Sequence, residues 1–173
     1  MNREQLKAAQ RPLKERYKAN PESAKVTLSA TGSLGSDVTC DVVAWHTVIQ
    51  AGLHPAAGGD GLAACSGDML LQSLVGCAGV TLSAVATALG IQVRGATLTA
   101  EGDLDFRGTL GVVRDAPVGF THIRLIIELD TEATPEEQRK LVELTERYCV
   151  VYQTLINGPR TSVECRTAAI ERV

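Results

Sequence analysis

The 173-residue chain is 45% apolar but only 3% aromatic, which provides for one domain with an aliphatic core and leaves few rings on which bases could stack. A net charge of −3 and a pI near 5.6 show no basic face, so nucleic acid is not an expected partner. Five cysteines, an odd number without CxxC or zinc spacing, predict neither a metal site nor a cofactor.

Residues 3–18 are highly charged, and apolar positions at Leu6, Ala9, Leu13 and Tyr17 predict a helix with a narrow apolar stripe. Pro12 should kink this helix or split it in two. Asn20-Pro21 ends the segment, so residues 1–20 read as a helical extension ahead of a single domain over 21–173. Alternation from Ala24 predicts strands at 24–31, 37–43 and 44–50, an antiparallel meander punctuated by Gly32-Ser33-Leu34-Gly35-Ser36. Ala51 to Gly61 is a glycine-rich loop. No Lys-Ser/Thr follows Gly58-Gly59-Asp60-Gly61, so this stretch makes no phosphate-binding motif.

Ser66-Gly67-Asp68 is placed to cap a helix running to about Leu89, with Gly90 closing it. No charged residue occurs from Met69 to Val93, a run long enough to cross a bilayer. Polar Gln72, Ser73, Thr81, Ser83 and Thr87 interrupt it, and no aromatic belt flanks it, so no membrane is expected. A helix apolar all round is buried on every side. In so short a chain the expected cover is a second copy, with Gly76 and Gly79 allowing close approach. Strands follow at 91–106 and 118–130 around a hairpin tip, 107–117. Thr134-Pro135-Glu136-Glu137 is a capping box that starts a second long helix to Asn157-Gly158, with a break near Cys149. Residues 162–167 read as a closing strand. Together these elements predict an α+β fold of antiparallel sheets with two long central helices.

Cys77, in Leu-Val-Gly-Cys-Ala-Gly-Val-Thr-Leu, and Cys149, in Glu-Arg-Tyr-Cys-Val-Val-Tyr-Gln-Thr-Leu, fall on these two helices. A thiolate that attacks an oxidant becomes a sulfenic acid, which a second thiol rescues by closing a disulfide. Seventy-two residues separate the pair, so only the fold can bring them together. No apolar leader follows Met1-Asn-Arg-Glu-Gln, and the expected location is the cytoplasm, where cysteine pairs are catalytic or redox-sensing. Cys40, Cys65 and Cys165 read as small core residues, and His46 and His122 as structural residues of strands. His54, beside Pro55 in the glycine-rich loop, is the histidine placed like a site residue.

This order of elements, with Asp68-Met-Leu-Leu-Gln-Ser-Leu-Val-Gly-Cys77 and Arg147-Tyr-Cys149-Val-Val-Tyr-Gln-Thr-Leu155, resembles the OsmC/Ohr family. These are the osmotically inducible protein C and organic hydroperoxide resistance proteins, and the likeness covers about residues 24–172. The resemblance implies an OsmC-like fold, an intertwined homodimer with active sites at the subunit interface, and a cofactor-free thiol peroxidase acting on organic hydroperoxides. It implies that Cys77 is oxidised to the sulfenic acid, that Cys149 resolves it, and that an external dithiol or lipoylated protein is the reductant.

Asp68 stands where the family has its acidic residue. Characterised members also activate the thiol with an arginine of the N-terminal meander, whereas Thr31 to Asp37 contains none. The expected cation is therefore Arg160, His54 or an arginine of the N-terminal helix. Nine residues at about 100° each put Asp68 opposite Cys77 on a continuous helix, so either the helix begins later than Ser66, or Asp68 is a cap or acts across a dimer. The same scaffold without an activated thiol would be a binding protein for a small apolar or acyl ligand, with the cysteines as sensors.

Overall fold

The computed structural model describes residues 1–167, so the last six residues of the domain expected over 21–173 lie outside the described residues. Asn2 and Gln5 form a reciprocal capping box that opens helix α1 (Arg3–Ala19). Pro12 neither kinks α1 into two elements nor ends it. No residue of α1 is buried, so solvent can reach the carbonyl that the proline leaves without a donor. A 3₁₀ turn (Pro21–Ala24) follows.

The strand expected at 24–31 is not formed. Residues 25–30 have no ladder partner, and the alternating Val26 and Leu28 are 74% and 86% exposed. Alternation alone supplies no hydrogen-bonding neighbour. The meander is instead β1 (Thr31–Leu34), β2 (Cys40–Ala44) and β3 (Thr47–Gly52), paired antiparallel. His46 sits in the β2–β3 turn rather than in a strand. A further correction concerns the sheet's direction: β4 (Ala64–Cys65) pairs parallel to β3, because the loop between them carries the chain back before it re-enters the sheet. The outer part of this sheet stands away from the helices, leaving Leu34, Trp45 and Val48 at 93%, 88% and 68% exposure.

Helix α2 (Ser66–Leu89) is continuous and ends at Gly90, whose φ of 77° a residue without Cβ adopts freely. The N-cap is Cys65, which makes no side-chain cap bond; the expected capping residues Ser66 and Asp68 lie inside the first turn. By length and composition α2 could cross a membrane, and it is the one such helix among the described residues. It serves here as the centre of the fold. Leu74, Ala78, Leu82, Val85 and Ala86 form a buried stripe against the second sheet and the C-terminal helices. Within one subunit burial is one-sided: Val80 is 74% exposed, and Gly76 faces open space.

That second sheet pairs β5 (Val93–Asp103) antiparallel with β6 (His122–Thr131). Its inner face puts Leu98, Ala100, Ile123 and Leu125 on α2, while Arg94, Glu101, Asp103, Arg124 and Asp130 pair on the outer face. The hairpin tip contains a one-turn helix, α3 (Phe106–Thr109), capped by Asp105. Thr134 and Glu137 close the expected capping box on α4 (Pro135–Tyr148), and Cys149 separates it from α5 (Val150–Ile156). Residues 162–167 form no strand and are exposed.

Candidate active site

The break between α4 and α5 positions the second thiol. The Cys149 backbone N–H donates to the Thr145 carbonyl at 2.9 Å, the last bond of α4. Its extended conformation (ψ 108°) then turns the chain, and its Sγ accepts the Tyr152 N–H at 3.5 Å as the cap of α5. Cys149 is 1% exposed and packs on Leu74 and Ala78 of α2. Cys77, the residue before Ala78, joins the same cluster but remains partly exposed. Two thiols from separate helices thus meet, one sealed and one accessible.

Their environments differ in sign. Burial pushes the Cys77 thiol up, but hydrogen bonds from the Val151 N–H, the Cys149 thiol, the Val150 N–H and the Thr81 hydroxyl outweigh it and hold Cys77 below the ordinary thiol range. Burial also pushes Cys149 up. Backbone N–H groups of Tyr152 and Val151 oppose that rise, while the neighbouring Cys77 adds to it. The physical origin is the start of α5, whose first N–H groups have no acceptor within the helix and so turn to sulfur. A thiol surrounded by donors favours its anion; the thiol that donates keeps its proton.

A sequence model of the OsmC-like protein family matches residues 58–164, a stretch that includes both cysteines. This chain belongs to that family. The OsmC-like protein of Mycoplasma pneumoniae superposes with a TM-score of 0.66 at 17% identity, over 78% of this chain and 90% of that one. Organic hydroperoxide resistance proteins of Legionella pneumophila (TM-score 0.59, 18% identity, 77% and 90% covered) and Elizabethkingia anophelis (0.60, 18%, 78% and 90%) share the fold. No curated protein sequence matches the chain.

Within this OsmC-like fold Asp68 and His54 line a cavity other than the one beside the thiols. Asp68 is exposed and, on an unbroken α2, points away from Cys77. It lines a separate cavity of about 390 Å³ together with His54, Cys65, Phe106 and Phe120. His54 Nδ1 accepts the Ala56 N–H at 3.0 Å, and its ring stacks on Phe106 with centroids 5.0 Å apart. Arg160 is exposed beyond α5. Among the described residues, no charged group of the same chain is among those that perturb Cys77. Of the arginines in α1, Arg3 comes near Gly90, at the far end of α2. Cys40 and Cys65 are half-buried, and Cys165 is exposed rather than a core residue.

Sequence reading overlooked Thr81, although its i,i+4 spacing from Cys77 puts it on the same helical face. The backbone donors of α5 carry no side-chain signature and could not have been found that way. Beside the thiol cluster, an open cavity of about 480 Å³ is walled by Leu70, Leu74, Phe120, Ile123, Tyr152 and Ile156. Leu74, Ile123 and Tyr152 belong to both cavity and cluster.

Proposed function

We propose that this OsmC-like protein is a thiol peroxidase that reduces organic hydroperoxides. The observation that carries the reading is the meeting of Cys77 and Cys149 with opposite perturbations, an accessible thiol primed as the anion beside a buried one that keeps its proton. The Cys77 thiolate attacks the terminal peroxide oxygen. An S–O bond forms, the O–O bond breaks, and the departing alkoxide takes a proton to become an alcohol. Cys149 then attacks the Cys77 sulfur, forming the disulfide and releasing water. An external dithiol, itself oxidised to a disulfide, returns both cysteines to thiols. The order is self-timed. Conversion of Cys77 to a neutral sulfenic acid removes the negative charge that raises Cys149, so the resolving thiol ionises more readily when it is needed.

The working form we infer is a cytoplasmic homodimer. Exposed Leu34, Trp45 and Val48 on the first sheet and the open face of α2 at Gly76 and Val80 give a second copy an apolar surface to cover. In that assembly Asp68, His54 or Arg160 of one subunit would reach the thiols of the other. The test is stopped-flow consumption of cumene hydroperoxide with dithiothreitol as reductant. Cys77→Ser should fall to the rate of free dithiothreitol, and Cys149→Ser should accumulate a sulfenic acid that dimedone captures. Equal slow rates for wild type and Cys77→Ser end the proposal.

One observation favours a second reading, a non-catalytic binder of an apolar or acyl ligand. The 480 Å³ cavity is lined mainly by apolar side chains, with Thr121 and His122 also on its wall, and no cation of the same chain reaches Cys77 among the described residues. Tight binding of a fatty acid by a protein without peroxidase activity would favour that alternative.

A further inference from the structure

The chain's net charge of −3 conceals an uneven distribution. Helix α1 carries Arg3, Lys7, Arg11, Lys14, Arg16 and Lys18 against Glu4 and Glu15, a net of +4, so the other residues sum to −7. The lack of a basic face expected from composition is thus corrected by one helix. At 100° per residue, Arg3, Lys14, Lys7, Lys18 and Arg11 fall within an arc of about 80°, and at 1.5 Å per residue they span about 22 Å. They form a straight ribbon of cations, with Arg16 on the opposite side of the helix.

All five are exposed. Arg3, Lys7, Lys14 and Lys18 form no ion pair among the described residues. Arg11 reaches Glu15 only at 3.9 Å, with side chains 76% and 71% exposed, a pairing that contributes little. The adjacent apolar stripe is partly in use: Leu6 and Tyr17 are half-buried where α1 packs on α2, while Leu13 is 41% exposed. The ribbon runs along the edge of that packed face, with Arg3 close to Gly90 of α2 and Lys7, Arg11, Lys14 and Lys18 open to solvent. Like charges three and four residues apart repel, so this arrangement costs helix stability unless an anionic surface meets it. Burying unpaired cations against a second copy would cost far more, which keeps the ribbon outside the inferred dimer contact.

We propose that α1 is a docking surface for an anionic lipid bilayer, lying flat on the headgroups with its five-cation ribbon. A plane can meet all five side chains at once because they share one narrow arc of an unbroken helix, whereas phosphates on a duplex curve away from it. No aromatic ring lies within the ribbon to stack on a base. This docking is peripheral; α2 remains the centre of the fold, and the inference does not rest on the thiol chemistry.

The full-length protein is sedimented with vesicles of phosphatidylcholine alone and of phosphatidylcholine containing about one-third phosphatidylserine. Binding is expected only to the anionic vesicles and should vanish at high salt. The double variant Lys7→Gln/Lys14→Gln should lower the partition coefficient roughly 30-fold, with helix content unchanged by circular dichroism. Arg16→Gln, on the far side of α1, should change it much less than Lys7→Gln alone. Failure to bind anionic vesicles overturns the inference, as does an equal loss for Arg16→Gln and Lys7→Gln. So does binding to duplex DNA or salt-dependent self-association in the absence of vesicle binding.

Discussion

Leu74 and Leu141 are 1% and 0% exposed, yet removing each should cost a different amount. Leu141 packs among Leu82, Val85 and Ala86, whereas Leu74 sits beside Cys149 and walls the 480 Å³ cavity. Truncating either to Ala removes three carbons, a loss of roughly 2.5 kcal/mol at about 0.8 kcal/mol each. A sealed void adds about 24 cal/mol per Å³. At Leu141 the void is closed on all sides, so Leu141→Ala should approach about 5 kcal/mol, the upper end of measured Leu→Ala losses. At Leu74 the opening merges with a cavity that water can enter, the second cost vanishes, and the loss should lie near 2.7 kcal/mol. The expected difference is about 2 kcal/mol. Urea unfolding at one fixed protein concentration, read as midpoint shifts at constant slope, measures it. Equal losses, or a larger one at Leu74, would refute the claim that the cavity opens onto the thiol cluster.

Two other predictions concern the thiols and the end of α2. Hydrogen bonds favour the Cys77 anion, so iodoacetamide should modify Cys77 at lower pH than Cys149, as mass spectrometry of the cysteine peptides would show. Thr81→Val removes a donor and should move the Cys77 profile to higher pH; superimposable profiles would mean the hydroxyl does not act on the sulfur. Gly90→Ala forces a Cβ into φ 77° and should cost about 1–2 kcal/mol, lowering Tm by about 2–4 °C per kcal/mol. An unchanged Tm would show that the helix end relaxes without strain.

Local chemistry was legible along the chain. The capping box at Thr134 and Glu137, the left-handed close of α2 at Gly90 and the break at Cys149 all stand where their residues indicate. Each is decided within a few residues by hydrogen bonds the chain makes to itself. Strand readings at 24–31 and 162–167 failed for the complementary reason. A strand exists only beside a partner, and alternation in one segment says nothing of what lies next to it. Charge averaged over the whole chain likewise hid α1, where the position of each cation around the helix matters more than the sum.

From the sequence alone came the α+β class, the family likeness and the two cysteines worth watching, because helix periodicity, caps and motifs are written in neighbouring residues. Only the tertiary structure decided that Cys77 and Cys149 meet, that the start of α5 and Thr81 set their opposite tendencies, and that Asp68 and His54 line a different cavity from the one beside the thiols. The reason is physical: a thiol's readiness to ionise depends on which donors and which apolar walls surround the sulfur, and those come from segments far apart along the chain.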